Sequence, residues 1–195
     1  MNNYFIILAS GQSKRFNSKK PKQFIKYKNK ALFEHSLDKA IVSKLFKKII
    51  LVVTNKNQIK KKYGRNVIII NGGKERSDSS LIALKYIKKF KPNKVLIHDA
   101  ARPNFSIELL SKLIISLKKN NASIPVINSK DSIKYKIKNQ LFNLNRNKSF
   151  LTQTPQAFRF KNLYDLSIIQ KNNVTDEATL FIENNLKIKF IKGEN

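Results

Sequence analysis

The 195-residue sequence contains no cysteine, which excludes a disulfide scaffold and any metal site built on thiolates. Its two histidines, His35 and His98, are too few for a multi-histidine metal site. Long apolar runs are absent as well, because Tyr4–Ala9 and Ile49–Val53 fall far short of the roughly 20 residues that a membrane-spanning helix needs. The first residues lack the basic start of a signal peptide, so we expect a soluble cytoplasmic protein without a membrane partner.

Acidic residues are scarce, with 12 Asp and Glu against 40 Lys and Arg, and the formal net charge is +28. Such a charge raises the possibility of a nucleic-acid-binding module. However, all but six of the basic residues are lysines, whereas base readers favour the bidentate arginine fork. The lysines are also spread along the whole chain. A compositional drift toward Lys, Asn and Ile accounts for most of the charge, and nucleic-acid binding stays a remote alternative.

Strands and helices alternate along one domain of 41% hydrophobic residues. This order predicts an α/β fold with a mostly parallel sheet and helices on both of its faces. The predicted strands are Tyr4–Leu8, Lys48–Val53, Val67–Ile70, Val95–Ile97, Ala122–Val126 and Lys187–Ile191. The predicted helices are Leu32–Leu45, Asp78–Phe90, Ile107–Lys119, Lys161–Gln170 and Thr175–Glu183.

A predicted β-hairpin interrupts this alternation. Ser132–Ile137 and Leu141–Leu144 alternate apolar and polar residues around Asn139 and Gln140. We interpret residues 132–150 as an inserted arm that serves oligomerisation or ligand closure.

The loop after the first strand has the character of a phosphate-binding loop. Ala9, Ser10 and Gly11 are small enough for backbone N–H groups to approach a ligand closely, and Arg15 and Lys22 add two cations. It is not a P-loop, since no Gly-Lys-Ser/Thr occurs. The alternative is an ordinary connecting loop with solvated cations.

Two further loops follow predicted strands at the same edge of the sheet. Asn71–Ser80 places a glycine pair before a serine-rich helix start, with Ser77 or Asp78 as the N-cap, and it suits an anionic ligand or a plain turn. His98–Pro103 places Asp99 where it either ligates a hydrated Mg²⁺ or pairs with an arginine. We interpret His98 itself as a packed core residue. Later, Thr175 is the predicted cap of a helix with two acids in its first turn.

In their order and spacing these segments, with Thr154-Pro155-Gln156, resemble the 2-C-methyl-D-erythritol 4-phosphate cytidylyltransferase family of the non-mevalonate isoprenoid pathway. The resemblance spans residues 4–193. It implies a Rossmann-like nucleotidyltransferase fold with a protruding hairpin arm. It also implies attack by the phosphate of 2-C-methyl-D-erythritol 4-phosphate on the α-phosphorus of CTP, which yields CDP-linked methylerythritol and pyrophosphate. A requirement for Mg²⁺ and a homodimer formed through the arm are implied as well.

The resemblance also implies roles for individual residues. Arg15 and Lys22 would stabilise the transition state, and Arg146 of the arm would position the sugar phosphate in the partner's site. CTP would be held by Ala9, Ser10, Gly11, Gly73 and Ser79. The sugar phosphate or the metal region would be contacted by Asp99 and Arg102, and the same pocket would be lined by Thr154 and Thr175.

The sequence departs from the family pattern at several positions. Ser10 and Ser13 replace Ala and Gly, Lys74 replaces a common acid, and Ser132 replaces Thr after Asp131. The family pattern continues with a further C-terminal strand that carries a lysine. This sequence stops at Asn195 without it, which is compatible with a fragment or with part of a bifunctional protein. We therefore expect CTP binding with slow turnover, and equal rates for a C-terminally extended version would refute this expectation. The alternatives are a cytidylyltransferase for ribitol 5-phosphate or another sugar-alcohol phosphate, and an inactive relative.

Overall fold

The computed structural model describes residues 2–11, 21–170 and 174–194. Its strands are β1 (Asn3–Ala9), β2 (Lys26–Tyr27), β3 (Lys30–Ala31), β4 (Lys48–Val53), β5 (Val67–Asn71), β6 (Lys94–Asp99), β7 (Ala122–Asn128), β8 (Lys134–Ile137), β9 (Gln140–Asn143), β10 (Phe150–Thr152), β11 (Gln156–Arg159) and β12 (Ile188–Lys192). Its α-helices are α1 (Leu32–Val42), α2 (Arg76–Lys88), α3 (Ile107–Ser116), α4 (Phe160–Ile169) and α5 (Glu177–Glu183). Within the described ranges, none of these helices combines the length and apolar character needed to cross a bilayer.

Eight of the strands form one mixed sheet. Parallel pairing joins β5, β4, β1 and β6 in that order, and β11 lies antiparallel between β6 and β7. One edge of β7 also pairs with β10, and its other edge pairs in parallel with β12. Only β10 and β11 run against the other strands, so the prediction of a mostly parallel sheet is confirmed.

The central strand β1 is buried along its whole length and contributes side chains to two hydrophobic layers, one on each face of the sheet. On one face, Tyr4, Ile6 and Leu8 pack with residues of α2, α4 and α5. On the other face, the alternate residues of β1 pack with α1 and α3. A strand covered on both faces reads as a continuous apolar run, which is why Tyr4–Leu8 signalled a strand. The prediction of helices on both faces is also confirmed.

The predicted hairpin is present as β8 and β9, which pair only with each other among the described strands. Tyr135 and Phe142 stack across it with ring centroids 5.3 Å apart. Leu141 and Ile137 are nevertheless 71% and 53% exposed. The arm therefore presents apolar side chains that the described part of this chain does not cover.

Strands β10 and β11 were not predicted. Phe150–Thr152 has three residues and Gln156–Arg159 has two apolar residues, so neither shows a clear alternation. Pro155, which lies between them, also argues against a strand. Both strands form through pairing with distant β7 and β6, which local sequence does not reveal.

Two predicted helix starts were wrong. Helix α2 begins at Arg76 rather than Asp78, because the Asp78 side chain reaches back and accepts from the Glu75 backbone N–H at 3.1 Å. Helix α5 begins after Asp176, whose carboxylate accepts from the Thr179 N–H at 3.1 Å, so Thr175 is not its cap. The predicted ends of α1 and α3 also ran three residues too far.

Candidate active site

The Ser79 hydroxyl joins the loops that follow β1 and β5. It lies 2.7 Å from the Ser10 hydroxyl, accepts from the Gly73 N–H at 3.0 Å and donates to the Glu75 carbonyl at 3.0 Å. A hydroxyl carries one proton, so Ser10 is the donor of the serine pair. Ser79 is fully buried and its hydrogen-bonding capacity is filled. In this arrangement Ser79 holds the shape of the two predicted CTP loops.

The glycine pair is required by close approach between these loops. A Cβ on Gly72 would lie 2.6 Å from Ser79 Oγ and 2.7 Å from the Ser10 side chain. A Cβ on Gly73 would clash with Asp78 Cβ. A larger residue at Gly72 would push the loop after β1 away from the start of α2, and one at Gly73 would push its own loop away from Asp78 of α2.

Gln23 closes the loop after β1 and was not recognised as a site residue from the sequence. Its side-chain amide donates to the carbonyls of Ala9 and Gly11 at 2.8 and 2.7 Å, and the residue is 4% exposed. The signal was present in Pro21-Lys22-Gln23, but the charge of the lysine is what suggests ligand binding there. Lys22 opens a short 3₁₀ helix and is exposed, whereas Arg15 lies outside the described residues.

Arg76 links three elements at the carboxyl edge of the sheet. Its two Nη atoms donate to the two oxygens of Glu177 at 2.9 Å each, and its Nε donates to Asp99 Oδ1 at 3.0 Å. Glu177 is only 2% exposed. Burial acts to lower the pKa of Arg76, but the charges of Glu177 and then Asp99 raise it well above its ordinary value, so the guanidinium stays charged.

Arg102 approaches the other oxygen of Asp99, with Nε 3.5 Å from Oδ2 and a side chain that is 57% exposed. Arg76, Arg102, Asp99 and Glu177 carry two positive and two negative charges, so the cluster is neutral as a whole. Of the two arginines, Arg102 is better able to turn toward an anion, because its contact with Asp99 is long and its side chain is exposed. Because the cluster has no net charge, any further attraction for phosphates must come from residues outside it.

The described residues do not fit a protein cage for Mg²⁺. Both oxygens of Asp99 face arginines, and no group of three or more metal-ligating side chains occurs within the described ranges. Mg²⁺ ordinarily combines one or two carboxylates with substrate phosphates and waters. The role of Asp99 as a metal ligand therefore stays a prediction, and its geometry is that of an arginine partner.

His98 is fully buried, which confirms its interpretation as a packed core residue. Thr154 Oγ1 accepts from the Asp99 N–H at 3.2 Å and lies 3.0 Å from His98 Nδ1, while His98 Nε2 lies 3.0 Å from Ser36 Oγ. Burial lowers the pKa of His98 to about 3, so the ring is neutral. We assign the proton to Nε2, because the Thr154 hydroxyl then donates to Nδ1 while it supports the backbone of Asp99.

The other predicted site residues are distributed as follows. Thr154 and Arg102 line a cavity of about 240 Å³ together with Asn104, Gln153 and Glu194. Thr175 is exposed and lies 3.5 Å from Thr179, next in sequence to the acids that hold α5 and Arg76. Arg146 is exposed on the arm, with its Nη1 3.4 Å from the Lys130 carbonyl. The structure of one chain thus brings most of the predicted residues to one sheet edge, but not Arg146.

The sheet and the loops at its carboxyl edge form a nucleotidyltransferase-like α/β fold. The model of the family 2-C-methyl-D-erythritol 4-phosphate cytidylyltransferase matches residues 4–195. The chain belongs to this family, which confirms the resemblance seen in the sequence.

Known relatives and solved structures agree with this assignment. A protein named bifunctional enzyme IspD/IspF from Pelagibacter ubique is 52% identical over all of this chain and 53% of its own length. A 2-C-methyl-D-erythritol 4-phosphate cytidylyltransferase from Thermosipho africanus is 32% identical over 96% of this chain and 88% of its own. The structure of 4-diphosphocytidyl-2C-methyl-D-erythritol synthase from Anaerococcus prevotii has a TM-score of 0.85 at 31% identity and covers 98% of this chain and 87% of its own.

The structure of the bifunctional IspDF from Campylobacter jejuni has a TM-score of 0.86 at 32% identity. It covers all of this chain but only half of its own length. The chain therefore spans about half the length of the bifunctional relatives that it matches, and most of the length of the others.

Proposed function

We propose that this chain transfers a cytidylyl group from CTP to 2-C-methyl-D-erythritol 4-phosphate. A phosphate oxygen of the sugar alcohol attacks the α-phosphorus of CTP, and the bond from that phosphorus to pyrophosphate breaks. The products are 4-CDP-2-C-methyl-D-erythritol, an intermediate of isoprenoid biosynthesis, and pyrophosphate. Family membership supports the reaction class, and the whole protein's substrates are part of the proposal.

One observation carries the proposal: Arg76 connects the loops expected to hold CTP with the residues expected to hold the sugar phosphate. Arg76 opens α2, directly after the Gly72–Gly73 loop, and it bonds to Asp99 at 3.0 Å. Asp99 in turn neighbours Arg102 and the 240 Å³ cavity that Arg102 lines. A reaction between two bound phosphate compounds needs such adjacency, because the attacking oxygen must be held close to the α-phosphorus.

Cations are needed because two highly charged anions must meet and charge spreads over the transferring phosphoryl group. We assign this task to Arg15 and Lys22, with Arg102 on the sugar phosphate. Mg²⁺ is proposed to arrive with the phosphates of CTP and its own waters rather than in a protein cage. It would supply charge neutralisation at the triphosphate.

A homodimer is part of the proposal. The exposed apolar side chains of the arm support it, since an uncovered apolar surface of this kind marks an interaction site. In such a dimer Arg146 would reach the partner's sugar phosphate. The enzyme would act in the cytoplasm on small molecules rather than on nucleic acid.

Pyrophosphate release tests the substrate assignment. CTP is offered with 2-C-methyl-D-erythritol 4-phosphate or with ribitol 5-phosphate, which is the substrate of the alternative function. We expect release with the first and little with the second. The Lys22→Ala variant should lose activity while its thermal unfolding stays cooperative, and persistent turnover by this variant would overturn the catalytic assignment.

A further inference from the structure

We propose that Arg76 is a positioning residue, which the buried Glu177 holds in place and which sets the direction of the Asp99 carboxylate and, through it, of Arg102. This inference rests on the proposed function, because it assigns a task within that reaction. Arg76 and Glu177 were not among the residues assigned to the site from the sequence.

Three hydrogen bonds fix the orientation of the Arg76 guanidinium. Two parallel bonds of 2.9 Å to Glu177 fix the plane of the guanidinium, and the third, from Nε to Asp99, is 3.0 Å long. A planar fork that is held on two sides has little rotational freedom left. The donor to Asp99 is therefore Nε of Arg76, and the contact with Glu177 sets its direction.

The burial of Glu177 keeps it paired with Arg76. Glu177 is 2% exposed, so its charge needs a partner inside the protein. Its position at the first turn of α5 fixes that helix relative to α2, and both helices pack on the same face of the sheet. The three partners meet although Asp99 and Glu177 lie 23 and 101 positions from Arg76, because Arg76 opens α2, Asp99 closes β6 and Glu177 opens α5.

The consequence concerns Arg102. Asp99 Oδ1 is occupied by Arg76, which leaves Oδ2 to face Arg102 at 3.5 Å. This long contact orients Arg102 toward the cavity but leaves its side chain able to move. Loss of the Arg76 fork would let Asp99 turn and form a closer pair with Arg102, which would withdraw that cation from the sugar phosphate.

The test compares Arg76→Lys and Glu177→Gln with wild type in the full chain. Arg76→Lys keeps the charge but loses the fork, and Glu177→Gln keeps the shape but loses the negative charge. Arg65→Lys, on an exposed loop, and Asp165→Asn, in an exposed pair with Lys161, are the matched controls. The readouts are kcat, the KM of each substrate and the midpoint of thermal unfolding.

We expect kcat to fall by roughly 10- to 100-fold in both variants, as for a small misplacement of reacting groups. The KM of the sugar phosphate should rise, while the KM of CTP stays within about twofold. Lower thermal stability with unchanged kinetic constants would show a purely structural tie and overturn the inference. A defect in Arg76→Lys alone would indicate direct substrate contact by Arg76 and would also overturn it.

If Arg76→Lys does not fold, Glu177→Gln carries the test, because it releases the same fork without changing Arg76. If Glu177→Gln does not fold, Glu177→Asp, which keeps the charge but has a shorter side chain, replaces it. Wild-type inactivity would count against the proposed function, whereas an active wild type with unaffected variants would count only against the positioning role.

Discussion

Ser10 and Ser79 are 69 residues apart in the chain, and their hydroxyl oxygens lie 2.7 Å apart at the carboxyl edge of the sheet. This bond joins the loop after β1 to the first turn of α2. It explains why small residues recur in both segments: neither backbone could come so close with a larger side chain at Gly72.

Replacing Ser79 by alanine should destabilise the protein by about 1–3 kcal/mol, because the Gly73 N–H and the Ser10 hydroxyl would lose a buried partner. The KM of CTP should rise as the two loops separate. Chemical denaturation and steady-state kinetics measure the two effects. Ser111→Ala, on α3, is the control and should change neither; an equal response of both variants would refute the role of Ser79.

Replacing Gly72 by alanine should act on the same contact by overpacking. The added Cβ would lie 2.6 Å from Ser79 Oγ, and such insertions cost roughly 1–3 kcal/mol. Gly64→Ala offers a matched control, because its Cβ would meet only Asn66 Oδ1 at 3.2 Å. Thermal unfolding of the two variants decides the matter, and equal midpoints would contradict the contact.

Folding stability should depend on pH through His98. Burial lowers its pKa from 6.5 to about 3 on folding, so between these values the unfolded chain binds a proton that the folded protein does not. Stability from this residue is complete above pH 6.5 and is lost as the pH falls toward 3. Going from about pH 7.5 to about pH 5 should remove about 2 kcal/mol.

Urea denaturation at several pH values measures this slope. His98→Asn should be less stable at neutral pH, since it disrupts the contacts to Thr154 and Ser36, and its slope should be shallower. Ser111→Ala, a non-titrating change on α3, is the control and should keep the wild-type slope. The same slope in His98→Asn as in wild type would show that other groups cause it.

The arm should complete the site of a partner chain. If Arg146 serves the partner's site, mixing Arg146→Ala with Lys22→Ala should restore activity, because each mixed dimer contains one intact site. Random pairing predicts about a quarter of wild-type turnover. Activity is measured after co-refolding of the two inactive variants, and no recovery would place Arg146 in its own chain's site.

The sequence predicted where the parallel strands and the helices lie along the chain, because each buries a continuous apolar run or stripe, as in Tyr4–Leu8 and α3. It also predicted the loops that meet at the carboxyl edge. It did not predict β10 and β11, whose pairing partners lie far along the chain. Strands stabilised by long-range hydrogen bonds carry little local signal.

In the site too, local motifs were predicted and long-range contacts were not. Single motifs pointed to Asp99, Ser79 and Gly73, but their partners were not evident from local sequence. Glu177 was interpreted as an acid in the first turn of α5, whereas it also holds Arg76, 101 residues away. Gln23 was overlooked because a buried amide that closes a loop looks in sequence like any polar residue.

The central claim is that this chain joins CTP to 2-C-methyl-D-erythritol 4-phosphate, and ³¹P NMR of the reaction mixture tests it most directly. The account predicts that an asymmetric diphosphate diester and free pyrophosphate accumulate in equal amounts, while both substrates disappear. Unchanged substrates after prolonged incubation, or loss of CTP without formation of the diester, would contradict it.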